Sequence, residues 1–559
     1  MKKYYMMILA AALTISGCSD FLDRDPDDYI GGEMVYGDEK LASAAVANLY
    51  GRVYWGQNID QDKLYIYLDE ACLSSGSPDN TYGFSNEFMR VYEYSLLRDM
   101  NILLQGFRSK AGEALGKALR TRLEGEIRFL RAWTYFNMAR SLGGMPLIGD
   151  NVFEYTSGMD VSTLQFPRSS EAGIYDYVIS ECEDVARNFL GEEPSVNGAR
   201  AVKWTALALK ARAALYAGSI ARYNARMATP LQTPQGSVGI PAEKDTYYYD
   251  IALKAAQEII ASHKYELYEL NSDKRRNFYE ATSVKNGNKE VIWTFDHIYP
   301  GSVTMFSANN FPTSHAEEES STNITPILNL VEAFEYVDNR DGSLRLTDRD
   351  GRSVVYDNAA DLFADKDPRL WGTVIYPGSE LKGEPVVFQA GRVSPGDSGN
   401  WNYEVGGAGS TDPDGELITS VNGPFTTNDG QRNKSGFCIR KFIDETSKAS
   451  PRQRHVVHQL PLCRNPADRR RGSFRAGRRH CAGVYQRGAR PRGHSTTEDA
   501  YTRRHRPRTT RRIRLRKPSL LGSQTLAQGP PPLERKRNQP RCRALRTLPL
   551  QDQRPRRSG

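Results

Sequence analysis

A break in composition near residue 450 constrains this 559-residue chain more than any other feature. From Pro451 to the end there are 28 Arg, 2 Lys and 5 acidic residues. That stretch holds no Trp and one Phe, Phe474. It has too little apolar surface to offset the entropy lost on ordering, so residues 451–559 are expected to be a disordered tail. The preceding residues hold 45 basic and 62 acidic side chains, which makes them net −17 against +25 for the tail. The overall +8 therefore hides an acidic body and a basic extension. Only the body carries the aromatic and aliphatic content of a sizeable core.

The N-terminus has the layout of an export signal. Lys2 and Lys3 precede an apolar run from Met6 to Ile15, broken only by Thr14. That run is far short of the about 20 residues a membrane-spanning helix needs, so it is read as a secretory signal. Ile15-Ser16-Gly17-Cys18 is similar to a bacterial lipobox, with cleavage before Cys18 and acylation of its thiol. Several acyl chains would anchor the protein to a membrane without spanning it. Asp20, Asp23, Asp25, Asp27 and Asp28 follow at once. Residues 1–17 are thus expected to be signal peptide and 18–35 a lipidated acidic linker.

The first half of the body is patterned as helices. Leu41–Tyr54 is rich in Ala and Leu. Glu124–Leu142 is apolar nearly all round, with one stripe of Leu123, Ile127, Leu130 and Thr134 and another of Phe129, Trp133 and Phe136. Such a helix belongs inside a bundle. Glu124 and Arg128 stand at i, i+4 and are expected to pair. Gly143-Gly144 should end the helix in a left-handed cap, and Pro146 blocks its resumption. Tyr175–Leu190, Ala201–Ala217 and Tyr249–Ser262 are three further helices. The Tyr249, Ala252, Ala256 spacing in the last is like that of tetratricopeptide hairpins, although no strict period repeats. The fold class expected is mainly α: a helical scaffold of degenerate tetratricopeptide-type hairpins over 36–265. An irregular, loop-rich part over 266–450 follows, with short strands such as Val291–Phe295 and Val374–Tyr376.

Chemistry-bearing motifs are scarce. After Cys18 the body has Cys72, Cys182 and Cys438, an odd set with no metal-ligand spacing, expected to be small buried residues. Its histidines, His263, His297 and His315, stand singly. No phosphate loop, nucleophile elbow or His/Cys/Asp cluster is present in the sequence. Neither a metal nor a cofactor is expected.

Five blocks of residues, in order and sensibly spaced, carry a family resemblance. Glu126-Ile127-Arg128-Phe129-Leu130-Arg131-Ala132-Trp133-Thr134-Tyr135-Phe136 runs into Gly143-Gly144-Met145-Pro146-Leu147-Ile148. Gly198-Ala199-Arg200 precedes the alanine-rich helix, Asp367-Pro368-Arg369-Leu370 follows later, and Ser435 to Phe442 reads SGFCIRKF. This succession, over residues 18–446, resembles the SusD/RagB family of outer-membrane nutrient-capture lipoproteins. The resemblance implies a non-catalytic, lipid-anchored protein facing the cell surface. It implies binding of an oligosaccharide, or another nutrient, and its delivery to a SusC-like TonB-dependent transporter. An anchored glycan-processing enzyme is the alternative. The family's ligand contacts follow no motif, so candidates are loop aromatics: Tyr82, Phe84, Phe306, Phe311, Trp401 and Tyr403.

The resemblance also bears on the tail. The family continues past residue 447 with a helix reading like YAEILL and a late block reading like ERxxEFAFE, and neither is present. Reading each codon one base displaced restores both. Arg512–Gln528 then permits EFAFENHRYWDLKRWR, and Leu460–Arg469 permits FRYAEILL. A frame lost near Ser447–His455 therefore accounts for the tail better than a nucleic-acid-binding arm would. No nucleic-acid partner is expected.

Overall fold

The computed structural model describes residues 32–55, 68–74 and 90–445, apart from 155, 195–197, 232, 285, 298–303, 317–322, 353, 355, 397–400 and 425–432. It also describes the strand Val456–His458. The helical half opens with α1 (Gly32–Gly37) and α2 (Glu39–Arg52). Asp38 starts α2 by accepting the backbone N–H groups of Lys40 and Leu41, both at 2.9 Å, which satisfies two donors a helix start leaves open. Then come α3 (Tyr94–Arg108) and α4 (Lys117–Leu142). They are followed by α5 (Glu171–Asn188), α6 (Lys203–Asn224) and α7 (Asp245–Ala261).

The last four of these helices pack in sequence order, α4 on α5, α5 on α6 and α6 on α7. Composition explains the stacking. Ala206, Ala208, Ala211, Ala213, Ala214 and Ala217 of α6 are all buried, and their small side chains let α5 and α7 close on it from two sides. In α4, every residue from Phe129 to Ala139 is buried, as the all-round apolar pattern requires. Its end differs from expectation. Gly143 has φ +76° but ψ −141°, so it leaves the helix by an extended positive-φ conformation rather than a left-handed cap. A Cβ on Gly144 would sit 1.9 Å from the Ser169 carbonyl oxygen, so only glycine allows the chain to pass there.

Among the described residues, the longer helices that went unread in the sequence are α3 and, in the second half, α8 (Lys274–Ser283). The Glu124–Arg128 pair also fails to form. Arg128 reaches across to α5, 2.7 Å from both Glu181 and Asp184, while Glu124 takes Arg108 of α3. Between half-buried groups a bidentate pair to a facing helix outcompetes a solvated pair along one surface.

The described strands are short and paired two by two, all antiparallel. In chain order they are β1 (Ala71–Leu73), β2 (Thr294–Asp296), β3 (Ile324–Pro326), β4 (Val374–Ile375), β5 (Glu380–Leu381) and β6 (Glu384–Pro385). The rest are β7 (Arg392–Pro395), β8 (Trp401–Glu404), β9 (Ser410–Thr411), β10 (Leu417–Thr419), β11 (Cys438–Ile439) and β12 (Val456–His458). The β12 strand lies inside the stretch expected to be tail and sets Val457 opposite Phe295 of β2. The β4–β11 pair stands between two small cores. Val374 and Phe437 enter one, with Leu362, Phe363 and Leu370; Ile375 and Cys438 enter the other, with Phe306, Ile324 and Phe388. Successive side chains of a strand point to opposite faces, so two residues serve two cores.

Trp293 ties this half to the helices. It is fully buried in the helical core. Its ring meets Phe129 and Trp133 of α4 edge-on at 5.0 Å each and lies 4.4 Å from Trp55. Its indole N–H donates to the Ala199 carbonyl at 3.3 Å.

Candidate functional site

An open groove of about 490 Å³ lies at the N-terminal end of α3, against the loop that follows α4. That volume is within the ordinary range of ligand pockets. Four aromatic side chains line it in two contacting pairs, Tyr92 with Tyr94 and Phe153 with Phe166. The tyrosine rings meet at 60° with centroids 5.0 Å apart, and the phenylalanine rings at 40° with 4.6 Å. Tyr92 is 59% exposed and Phe166 38%. Arg98, Asn151 and Gln165 supply the polar lining, with Pro146, Ile148 and Leu164 completing it.

Fixed hydrogen bonds hold this surface. The Tyr94 hydroxyl donates to the Pro146 carbonyl at 2.7 Å. Burial, with Tyr135 and Tyr92 beside it, pushes that phenol well above its usual range, so it stays a donor at any physiological pH. Asn101 donates from one amide nitrogen to the carbonyls of Gly149 (2.9 Å) and Asn151 (2.8 Å). Its amide oxygen accepts from Arg131 at 2.9 Å. Arg131, 3% exposed, also pairs with Asp150 and Glu181. A second guanidinium, Arg108, holds the other oxygen of Asp150. Burial alone would raise the Asp150 carboxyl, but these two arginines outweigh it and hold it below the usual carboxylate range. The turn from Gly149 to Asn151 is thus clamped from α3 and α4, and Phe153 stands two residues beyond it.

The motif carried by α4 is therefore a scaffold device. Arg128 and Arg131 join α4 to α5 and the turn. Glu126, 1% exposed, accepts from the Tyr50 hydroxyl at 3.0 Å and from Arg200 at 2.9 Å. Tyr50 in turn accepts the Ala201 N–H at 2.9 Å. The Gly198-Ala199-Arg200 block is thereby fixed to α2 and α4. In the second half, Arg440 stands over Trp371 at 4.0 Å, pairs with Glu445 and donates to the Glu380 carbonyl at 2.6 Å.

The six aromatic candidates fare unequally. Phe306, 1% exposed, and Phe311, 8% exposed, lie in a small core and offer no face to a ligand, which corrects the expectation for both. Apolar neighbours were available to cover them, among them Phe442 at 6.3 Å from Phe306. Tyr403 on β8 is 60% exposed but is not part of the groove. Trp401 has its backbone in β8 opposite Pro395, and its side chain lies outside the described residues. Tyr82, Phe84 and Cys18 also lie outside them. The groove's own aromatics were missed. Tyr92-Glu93-Tyr94 just before a helix, and Phe153 and Phe166 in a polar stretch without periodicity, were the available signal. Cys72, Cys182 and Cys438 are free and buried. Among the described residues no acidic, His or Cys cluster could hold a metal ion, and no helix is long and apolar enough to cross a membrane.

Comparison with known proteins follows the same path. Residues 289–464 match the sequence profile of the SusD family. A SusD-like protein of Bacteroides ovatus is 27% identical over 224 residues, 38% of this chain and 39% of that protein. Over residues 289–464 the chain is similar to the SusD family. A second SusD-like protein, from Formosa agariphila, is 25% identical over 33% of this chain and 36% of its own length. These matches therefore span well under half of either SusD-like relative. Solved SusD-like structures share the fold more widely. A SusD-like carbohydrate binding protein of Bacteroides fragilis superposes with a TM-score of 0.55 at 17% identity, over 79% of this chain and 75% of that one. A further SusD-like structure from the same species gives 0.54 at 20% identity, over 81% and 78%.

Proposed function

We propose that this protein captures an oligosaccharide in the groove between Tyr92 and Phe166 and passes it to a SusC-like TonB-dependent transporter. Lipid on Cys18 would hold it at the outer membrane, facing the cell surface. The groove carries the reading. Exposed aromatic faces suit the apolar faces of sugar rings, and a few fixed amide and guanidinium groups beside them suit hydroxyls. The match of residues 289–464 to the SusD profile, and the fold shared with a SusD-like carbohydrate binding protein, support it.

A glycan-processing enzyme is the weaker reading. Glycoside hydrolysis uses two carboxyl groups about 5–10 Å apart flanking the bond to be cut. No Asp or Glu is among the residues lining the groove, and the nearby Asp150 is tied up by two arginines. The test is a glycan array followed by titration of the best binder. Tyr92→Ala is expected to weaken binding by about 1–3 kcal/mol, by analogy with base stacking on aromatic side chains. Unchanged affinity would remove the groove from the proposal, and shortening of the bound chain on incubation would reinstate the enzyme.

A further inference from the structure

We infer that the groove selects saccharides bearing carboxylates, with a hexuronate ring laid on Tyr92 or Phe166 and its acid group received by Arg98. This rests on the saccharide-binding reading of the same groove and narrows it. Arg98 lines the groove from the first turns of α3. Its guanidinium makes two long contacts. Nε donates to the Phe153 carbonyl at 3.4 Å, and Nη2 stands 3.8 Å from a Glu154 oxygen whose side chain is 76% exposed. Among the described residues no carboxylate holds it at hydrogen-bond distance, in contrast to Arg108, Arg128 and Arg131 nearby. Those three each meet an acid at 2.7 Å or closer.

Arg168 adds to the positive field. It donates to the carbonyls of Gly144 and Leu142, both at 2.7 Å, and forms no ion pair among the described residues. It lies within electrostatic reach of Tyr94 on the groove wall. Two guanidinium groups are thus answered by one loosely held, solvated glutamate, on a body that is otherwise acidic. A neutral sugar needs no such excess. A carboxylate uses it fully, because a planar guanidinium fork matches a planar carboxylate with two parallel hydrogen bonds. The aromatic rings alongside set the sugar ring that carries it.

The test is calorimetric titration of the full chain with hexagalacturonate and with its methyl ester, at physiological salt. The ester keeps the rings and removes the charge. Wild type is expected to bind the acid at least about tenfold more tightly than the ester, a factor worth about 1.4 kcal/mol. Arg98→Gln should narrow that gap by about tenfold while leaving the ester's affinity nearly unchanged; its side chain is 43% exposed, and a thermal melt checks the fold. Tyr92→Ala should weaken both ligands. The basic tail is the same in all three proteins, so its attraction for polyanions cancels between variants. Equal affinity for acid and ester, a gap that Arg98→Gln leaves unchanged, or no binding of the acid overturns the inference. If acid and ester bind equally and both weaken in Tyr92→Ala, the saccharide groove stands and only its preference for acids falls.

Discussion

Lys366 shows how a single buried charge is housed. It is 6% exposed, and its ammonium donates to the carbonyls of Phe334 (2.8 Å), Gly342 (2.6 Å) and Val331 (3.4 Å) under the Tyr336 ring. Burial pushes its pKa down to about 8, against weaker support from Glu332 and Asp341. An unfolded lysine keeps its proton to about pH 10.4. Between pH 8 and 10 the unfolded state therefore binds more protons, and stability rises with pH. Urea unfolding at pH 7 and pH 10 should show wild type gaining about 1–2 kcal/mol relative to Lys366→Met. The comparison with the variant cancels the tyrosines, which act in the opposite direction. No relative gain would mean that the carbonyl cage stabilises the ammonium fully.

At the scale of elements, the groove depends on the clamp between α3, α4 and the Gly149–Asn151 turn. Arg131→Met removes the shared guanidinium and leaves Asp150, Glu181 and the Asn101 oxygen short of a donor. The expected cost is about 3 kcal/mol, typical for breaking one side of a buried pair. Amide exchange should rise between Gly149 and Phe153, and saccharide affinity should fall with it. Protection unchanged at those amides would show that Arg108 suffices. The same region shows what the sequence could disclose. Four stacked helices were legible because their apolar periodicity is strong, and Trp133 and Phe136 mark the most buried one. Helix α3 carries Leu96, Leu97, Met100, Leu104 and Phe107 on one face, a pattern that charged and amide residues between them obscured. The groove was not legible, because Tyr92, Asn151 and Phe166 converge only through the path of a turn. Nor were the strand pairs, since nothing local in Val374–Ile375 names Cys438–Ile439 as its partner.

For the whole molecule, the question is where the productive sequence stops. The frame reading puts the loss near Ser447–His455, while β12 places Val456–His458 against β2. Two truncations divide the possibilities. Removing residues 459–559 keeps β12 and is expected to leave the melting temperature unchanged. Removing residues 446–559 unpairs Thr294–Asp296, next to Trp293, and is expected to lower it. A fall with the first truncation would mean that the Arg-rich tail contributes to the fold. A one-base shift near codon 450 should raise the melting temperature above that of the chain as given, by supplying apolar segments the tail lacks. A coding sequence with no such repair would refute the frame reading.

The two-faced pairing of β4 with β11 has a kinetic consequence. Residues 374 and 439, 295 and 457, and 72 and 325 must all meet before the strands that contain them gain anything. Such closures are entropically slow, whereas the helical stack assembles from sequence neighbours. The stack should therefore form first and serve as the template on which the later half condenses. The order reverses under stress: the last part to assemble is the first to open. Brief protease treatment at rising urea should release a resistant helical fragment ending just past Trp293, which the helical core holds, while the rest of the second half is degraded. Such a protein would fail by halves, keeping its aromatic groove after the rest has been lost.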